Sequence, residues 1–266
     1  IYSDEEMQHI AKEINFSETT FIMSDSVIND SFPVRIFTPA EEMPFAGHPT
    51  LGTTFIIQQK IICKQVPSLT LDLKIGKIPV TFEYINNEPD KLTMRQIEPI
   101  FGKVFAKDEL SCVLGIKPED IDDSFPIEET STGKPDIIVP LKSLDAVRRC
   151  QIDIRKYYEL INNLDSKAIL VFARETYHKE NQLNARMFAN YFGIPEDPAT
   201  GSSNGALAGY LVKNRYFDTD KIDIRVEQGY EIGRPSLLYL NASDANGKID
   251  IRVGGKVIEI AKGEWK

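Results

Sequence analysis

The chain has 266 residues, 42% of them hydrophobic, and a formal net charge of −9. That is apolar material for one large domain or two of ordinary size. No window approaches the roughly 18 consecutive apolar residues of a membrane span, and an acidic surface with no Lys/Arg cluster argues against nucleic acid or an anionic membrane as partner, leaving a small molecule. The cysteines Cys63, Cys112 and Cys150 are odd in number and far apart, which suggests neither a disulfide framework nor a zinc site, so each is expected reduced in or near a core. The opening "IYSDEEMQHI" is acidic and lacks the basic and apolar regions of a signal peptide, so the expected compartment is the cytoplasm.

Along the chain, Ser3 and Glu6 form a capping box, and Met7, Ile10, Ala11 and Ile14 share the face of a short amphipathic helix. A strand is predicted over "NFSETTFIM", residues 15 to 23, followed by strands in "SFPVRIFT", "SLTLDLKIGKIPVTFEY" and "KLTMRQI". The second half adds "PDIIVPL", "KAILVFARE", "NARMF", "IDIRVEQG" and "PSLLYLN". Asn246-Gly247 and Gly254-Gly255 read as hairpin turns on either side of "KIDIRV", with "KVIEIAK" as a further strand. Strands dominate and clear helices are few, which excludes a helical bundle and does not show the regular alternation of a doubly wound sheet.

An internal repeat emerges when Glu42 is set against Glu196: "EMPFAGHPTLGTTFII" then lies over "EDPATGSSNGALAGYL", with Pro44 on Pro198 and Gly47 on Gly201. Upstream, Arg35 and Phe37 meet Arg186 and Phe188 after a three-residue gap. Each copy ends in an uncharged stretch, "TLGTTFII" or "NGALAGYLV", and a helix apolar all round is a buried helix. Two domains follow, each with strands wrapped around a central helix. Each helix starts at a glycine turn whose first N–H groups have no helical partner and carry the positive dipole end, so facing domains would form an anion site between them. The boundary is expected between Gly102 and Asp108, giving domains 1–105 and 106–266.

Some apparent motifs fail on context. Gly201-Ser202-Ser203-Asn204-Gly205 matches a nucleophile elbow, but that hydrolase order needs a downstream histidine, and His9, His48 and His178 all lie upstream. Neither glycine turn supplies the lysine of a P-loop, and no GxGxxG supports a nucleotide. The candidates that remain stand beside the turns. His48 lies at the first helix start, where the dipole favours a neutral ring able to pass a proton, or it bonds its own loop. Asp197 either caps orphan N–H groups or assists proton transfer. Ser202 either caps or holds a substrate carboxylate, while Gly47 and Gly201 permit close backbone approach or simply make the turn. Glu18 alternates in phase with Phe16, Thr20 and Ile22, so it is either an inward acid whose burial favours the protonated form or a solvated edge residue.

The segments "NFSETTF", "VRIFTPAEEMPFAGHPTLGTTF", "ARMFANYFGIPEDPATGSSNGALAGYLV" and "EQGYEIGRPSLLYL" resemble the phenazine-biosynthesis-like (PhzF) family over nearly the whole chain. The resemblance implies an α+β, diaminopimelate epimerase-like fold of two pseudo-symmetric domains, each a strand-rich roll or barrel around a buried helix, with the site in the cleft between them. It implies an isomerase without metal, nucleotide or redox cofactor, acting on a small carboxylate by a double-bond shift or an epimerisation, and a homodimer. Carried onto matching positions, Glu18 of the SET motif shuttles a proton, His48 and Asp197 complete the site with Ser202, and Gly47 and Gly201 lend backbone amides. Two departures stand out. The family's first strand and GNP loop are missing ahead of the first helix, and Ala46 and Thr200 occupy the places where true epimerases carry cysteines, so a two-thiol mechanism through those positions is excluded. The alternatives from other classes are a binding protein that keeps the cleft without catalysis, and an amino-acid racemase using other groups.

Overall fold

The computed structural model describes residues 2–264. By its contacts the chain divides into two compact units, Ile1–Arg95 with Gly254–Lys266, and Gln96–Val253. The division lies upstream of residue 105 because the strand that the sequence assigned to the first domain, Ile100–Phe105, pairs with Ile127–Ser131 of the second.

The first unit opens with α1 (Asp4–Ile14), where Ser3 and Glu6 form the expected capping box and Met7 and Ala11 are buried. β1 (Thr19–Ile22) pairs antiparallel with β2 (Phe32–Phe37), and β2 pairs with the short β3 (Glu42–Met43). Next comes α2 (Gly47–Ile56), which continues as a π-helical stretch over Ile57–Ile62. β4 (Ser68–Leu73) lies parallel to β2, and β5 (Gly76–Ile85) and β6 (Glu88–Arg95) extend the sheet antiparallel. Leu51 and Ile57 pack among Val34, Leu71, Val80 and Leu92, so the uncharged segment 50–57 is the centre of this core, as its lack of charge requires, and the first charge comes beyond it at Lys60.

The second unit contains β7 (Ile100–Phe105), α3 (Lys107–Leu114), β8 (Ile127–Ser131), β9 (Pro135–Pro140), α4 (Leu144–Arg149), α5 (Ile154–Ile161), β10 (Ala168–Ala173), β11 (Leu183–Ala189), β12 (Ile194–Asp197), α6 (Gly201–Lys213), β13 (Lys221–Gln228), β14 (Ser236–Ala245) and all of β15 (Lys248–Gly255) but its last two residues, which belong to the first unit. β9 lies parallel to β10 and β11 parallel to β13, with the other pairings antiparallel. "AILVFA" of β10 is buried at every position because both faces are covered. Leu170 and Phe172 pack on the α6 side with Leu207, Tyr210 and Leu211, and Ile169 and Val171 on the other side with Leu110, Val147, Tyr157 and Ile161 of α3, α4 and α5. That outer helical layer was not read from the sequence. Its signals are the N-caps Ser143 and Asp153, which accept from Ala146 and Lys156.

The repeat is structural. In each unit an arginine strand leads to a short antiparallel strand that carries the glutamate, then through a turn to the central helix: Arg35 Nε donates to Glu42 Oε1 at 2.8 Å, and Arg186 Nε to Glu196 Oε1 at 3.0 Å. Asn246 and Gly247, with φ of 56° and 86°, form the expected hairpin turn. Gly254-Gly255 does not. It ends β15, and a Cβ at Gly254 would come within 2.6 Å of Thr93 Oγ1, so close approach of chains and not a turn demands the glycine; "KVIEIAK" after it forms no strand. Of the cysteines only Cys150 is buried; Cys63 and Cys112 are exposed, because Cys63 ends the π-helical stretch and Cys112 lies on the outer face of α3. No helix among the described residues is long and apolar enough to cross a membrane.

Candidate functional site

In the first unit, β1 and α2 bring Glu18 and His48 together. Glu18 immediately precedes β1, and His48 follows Gly47 at the start of α2. His48 Nε2 lies 3.0 Å from Glu18 Oε2. The glutamate side chain is 19% exposed and the histidine 57%, so one partner is withdrawn and the other open to solvent. Glu18 Oε2 is buried and receives no well-aligned hydrogen bond, leaving the imidazole as its ionic neighbour. The N-cap position of α2 is Ala46, which has no side-chain oxygen, so the first turn of the helix has no side-chain cap.

The pair borders a pocket of about 340 Å³, lined also by Thr20, Gly52, Thr53 and Ile56. Thr53 Oγ1 donates to Thr20 Oγ1 at 2.8 Å, fixing one wall. His48, Gly52 and Ile56 are spaced i, i+4, i+8, one stripe of α2, a stripe hidden in sequence by the helix's even apolarity. The expected phase of Glu18 holds for Thr20 and Ile22, which line the same pocket. It fails for Phe16, which is 72% exposed because Asn15 ends α1 in a left-handed conformation and the strand begins only at Thr19.

In the second unit, Asp197 ends β12, opposite Met187 of β11. Its carboxylate accepts the Thr200 hydroxyl proton through Oδ2 and caps no helical N–H among the bonds of the described residues. α6 starts at Gly201 with Thr200 as N-cap residue and no side-chain cap. Ser202 is therefore inside the first turn and is not a cap; its carbonyl accepts from Thr132 Oγ1 at 3.0 Å. Ser203, the serine of the apparent nucleophile elbow, is 1% exposed, which removes it as a nucleophile. Gln228, at the end of β13, was missed in the sequence. Its side chain touches Asp197, Thr200 and Asn204. Among the described residues no three His, Cys, Asp or Glu side chains are grouped to hold a metal ion.

A family model described as phenazine biosynthesis-like protein matches residues 2–263. The trans-2,3-dihydro-3-hydroxyanthranilate isomerase of Pseudomonas aeruginosa is 33% identical over 262 residues, a match covering 98% of this chain and 88% of the relative. The crystal structure of a PhzF-family phenazine biosynthesis protein from Bacillus anthracis agrees with a TM-score of 0.86 at 32% identity, over 96% of this chain and 86% of that one. A probable proline racemase from Agrobacterium radiobacter shares the fold alone, with a TM-score of 0.58 at 11% identity over 96% and 79% of the two chains.

Proposed function

This chain belongs to the phenazine biosynthesis-like (PhzF) family and is an isomerase, and we propose that it works by carbon-proton transfer, with Glu18 as the acid/base and a small carboxylate as substrate. The observation that carries the reading is the buried Oε2 of Glu18, 3.0 Å from His48 Nε2 at the edge of a pocket. A carboxylate oxygen with no aligned hydrogen-bond donor on it, at the edge of a pocket, is free to take a proton from a substrate C–H.

In the proposed step the substrate C–H bond breaks, its proton forms an O–H bond on Glu18, and the electron pair spreads into the adjacent unsaturated system. Glu18 then returns a proton to another carbon; inversion at the same carbon would need a second group to deliver the proton from the opposite face. One proton leaves and one comes back, so the redox state is unchanged and no external electron acceptor enters. His48, 3.0 Å away, holds Glu18 in place. Each uncapped first turn, at Gly47 in the first unit and at Gly201-Ser202 in the second, offers backbone N–H groups and a positive dipole end to an anion. Asp197, fixed by the Thr200 hydroxyl, is assigned to the same chemistry as a second proton-handling group.

The test is deuterium uptake from heavy water into small carboxylates with acidic C–H bonds, trans-2,3-dihydro-3-hydroxyanthranilate among them, followed by mass spectrometry. Glu18→Gln should lower uptake by about 10²–10⁴-fold; undiminished uptake sinks the assignment. Residence in the cytoplasm and assembly as a homodimer rest on composition and on the family resemblance. Light scattering on the purified chain decides the second.

A further inference from the structure

We propose that Gln228 is a positioning residue whose task is to keep the Thr200 hydroxyl off the first N–H groups of α6, reserving them for a bound anion. The inference rests on the reading of that helix start as an anion site.

Thr200 occupies the N-cap position with extended backbone, φ −101° and ψ 95°. From that position a threonine hydroxyl ordinarily accepts from an N–H of the first turn. Here it forms no such cap. The reason lies in Gln228, which is fully buried, as is Asn204 beside it. Gln228 Nε2 donates to the Asp197 carbonyl at 2.7 Å and to Thr200 Oγ1 at 3.0 Å. A carbonyl only accepts, so this end of the amide must be the NH₂ group. Its oxygen accepts from Asn204 Nδ2 at 2.7 Å, and Asn204 Nδ2 also donates to the Thr200 carbonyl at 3.0 Å, which fixes the second amide by the same logic. Thr200 Oγ1 thus receives a proton from Gln228 and has one of its own to give, which goes to Asp197 Oδ2. The hydroxyl proton and one of the oxygen's two lone pairs are committed, to Asp197 and from Gln228, and these two bonds hold it where it makes no cap on the helix.

The other copy of the repeat reaches the same end by simpler means. Its N-cap residue is Ala46, which has no hydroxyl to restrain. Where the second copy carries threonine, it also carries the glutamine that holds it.

The experiment titrates the full chain, labelled with ¹⁵N, with inorganic sulfate at constant ionic strength, following the backbone amides of Gly201, Ser202 and Ser203. Wild type should show saturable shifts. Gln228→Met frees the hydroxyl to cap the helix and should weaken sulfate by at least about fivefold, the worth of one N-cap contact; Gln228→Leu serves if the methionine variant does not fold. Thr200→Val should keep affinity within about twofold of wild type, and combined with Gln228→Met it should restore what that change lost, a rescue that a merely structural glutamine would not give. Unaltered binding in Gln228→Met, no rescue in the double variant, or loss of binding in Thr200→Val alone overturns the role of Gln228. Absence of saturable shifts in wild type overturns the anion-site reading itself, and this inference with it.

Discussion

Arg186 grips Glu196 with two parallel contacts, Nε to Oε1 at 3.0 Å and Nη2 to Oε2 at 2.7 Å. Its remaining nitrogen donates to the carbonyls of Val147 and Cys150, both at 2.9 Å, where α4 ends. The two side chains are 10% and 7% exposed, against 25% and 18% for the corresponding pair Arg35 and Glu42. Arg186→Met would strand a carboxylate in the interior and uncap α4, so it is expected to cost about 3–5 kcal/mol. Arg35→Met, at the more solvated copy, should cost about 1 kcal/mol. Urea unfolding of both variants checks the contrast, and equal losses would show that burial does not set the cost.

These arginines also mark what a sequence can disclose. The repeat was legible because Glu42 and Glu196 keep their distance from the glycine turns, and that spacing is imposed by a strand, an ion pair and a helix start acting together. Glu18 was legible as a candidate only through its phase with Thr20 and Ile22 and through family resemblance; its nearness to His48 depends on how β1 lies on α2, which no local pattern states. Gln228 was not legible at all. It ends β13, far along the chain from Asp197 and Thr200, and its whole significance lies in hydrogen bonds made across that separation.

Asp136 supplies a test in pH. It is buried between Thr130 of β8 and Ala168 of β10, and burial pushes its carboxyl up to about 7, although Ser203 and Lys134 pull it down. Ser203 Oγ is itself buried without an aligned partner, so its support for the charged form is slight. A carboxyl raised above its unfolded value of about 3.9 contributes stability that is complete below that value and is lost as pH rises through about 7. Asp136→Asn imitates the neutral acid. It should match wild type near pH 4 and exceed it by about 2–4 kcal/mol near pH 8. Denaturant titrations across that range decide it: a variant less stable than wild type at pH 8 would mean that the carboxylate is charged and well held.

The thiols should separate by accessibility. Burial pushes Cys150 up to about 12, against the opposing pull of Arg186 and Arg149, whereas Cys63 and Cys112 are exposed. With an aromatic disulfide reagent at pH 8, the native chain is expected to release two equivalents quickly and the third only on unfolding, since the thiolate is the reacting species. A third fast equivalent would show that the end of α4 opens in the native state.

Gly229 joins local geometry to the proposed site. Its φ of +81° lies in the left-handed region, and a Cβ there would meet backbone on both sides: the Arg234 carbonyl, and Pro198, whose oxygen would be 2.9 Å away and whose Cα 3.0 Å. Backbone atoms cannot swing aside as a side-chain tip can, so an added methyl must displace the turn that carries Asp197 and Pro198. Gly229→Ala is therefore expected to cost about 2–4 kcal/mol, the sum of an unfavourable φ and overpacking. Because the displaced segment leads into Thr200 and Gly201, turnover should fall further than the loss of folded protein explains, by about 10²-fold for a shift near 1 Å. Measuring kcat on the fraction shown to be folded separates the two effects. If specific activity per folded molecule is unchanged, the turn tolerates the shift, and Asp197 and Gly201 do not need their present positions.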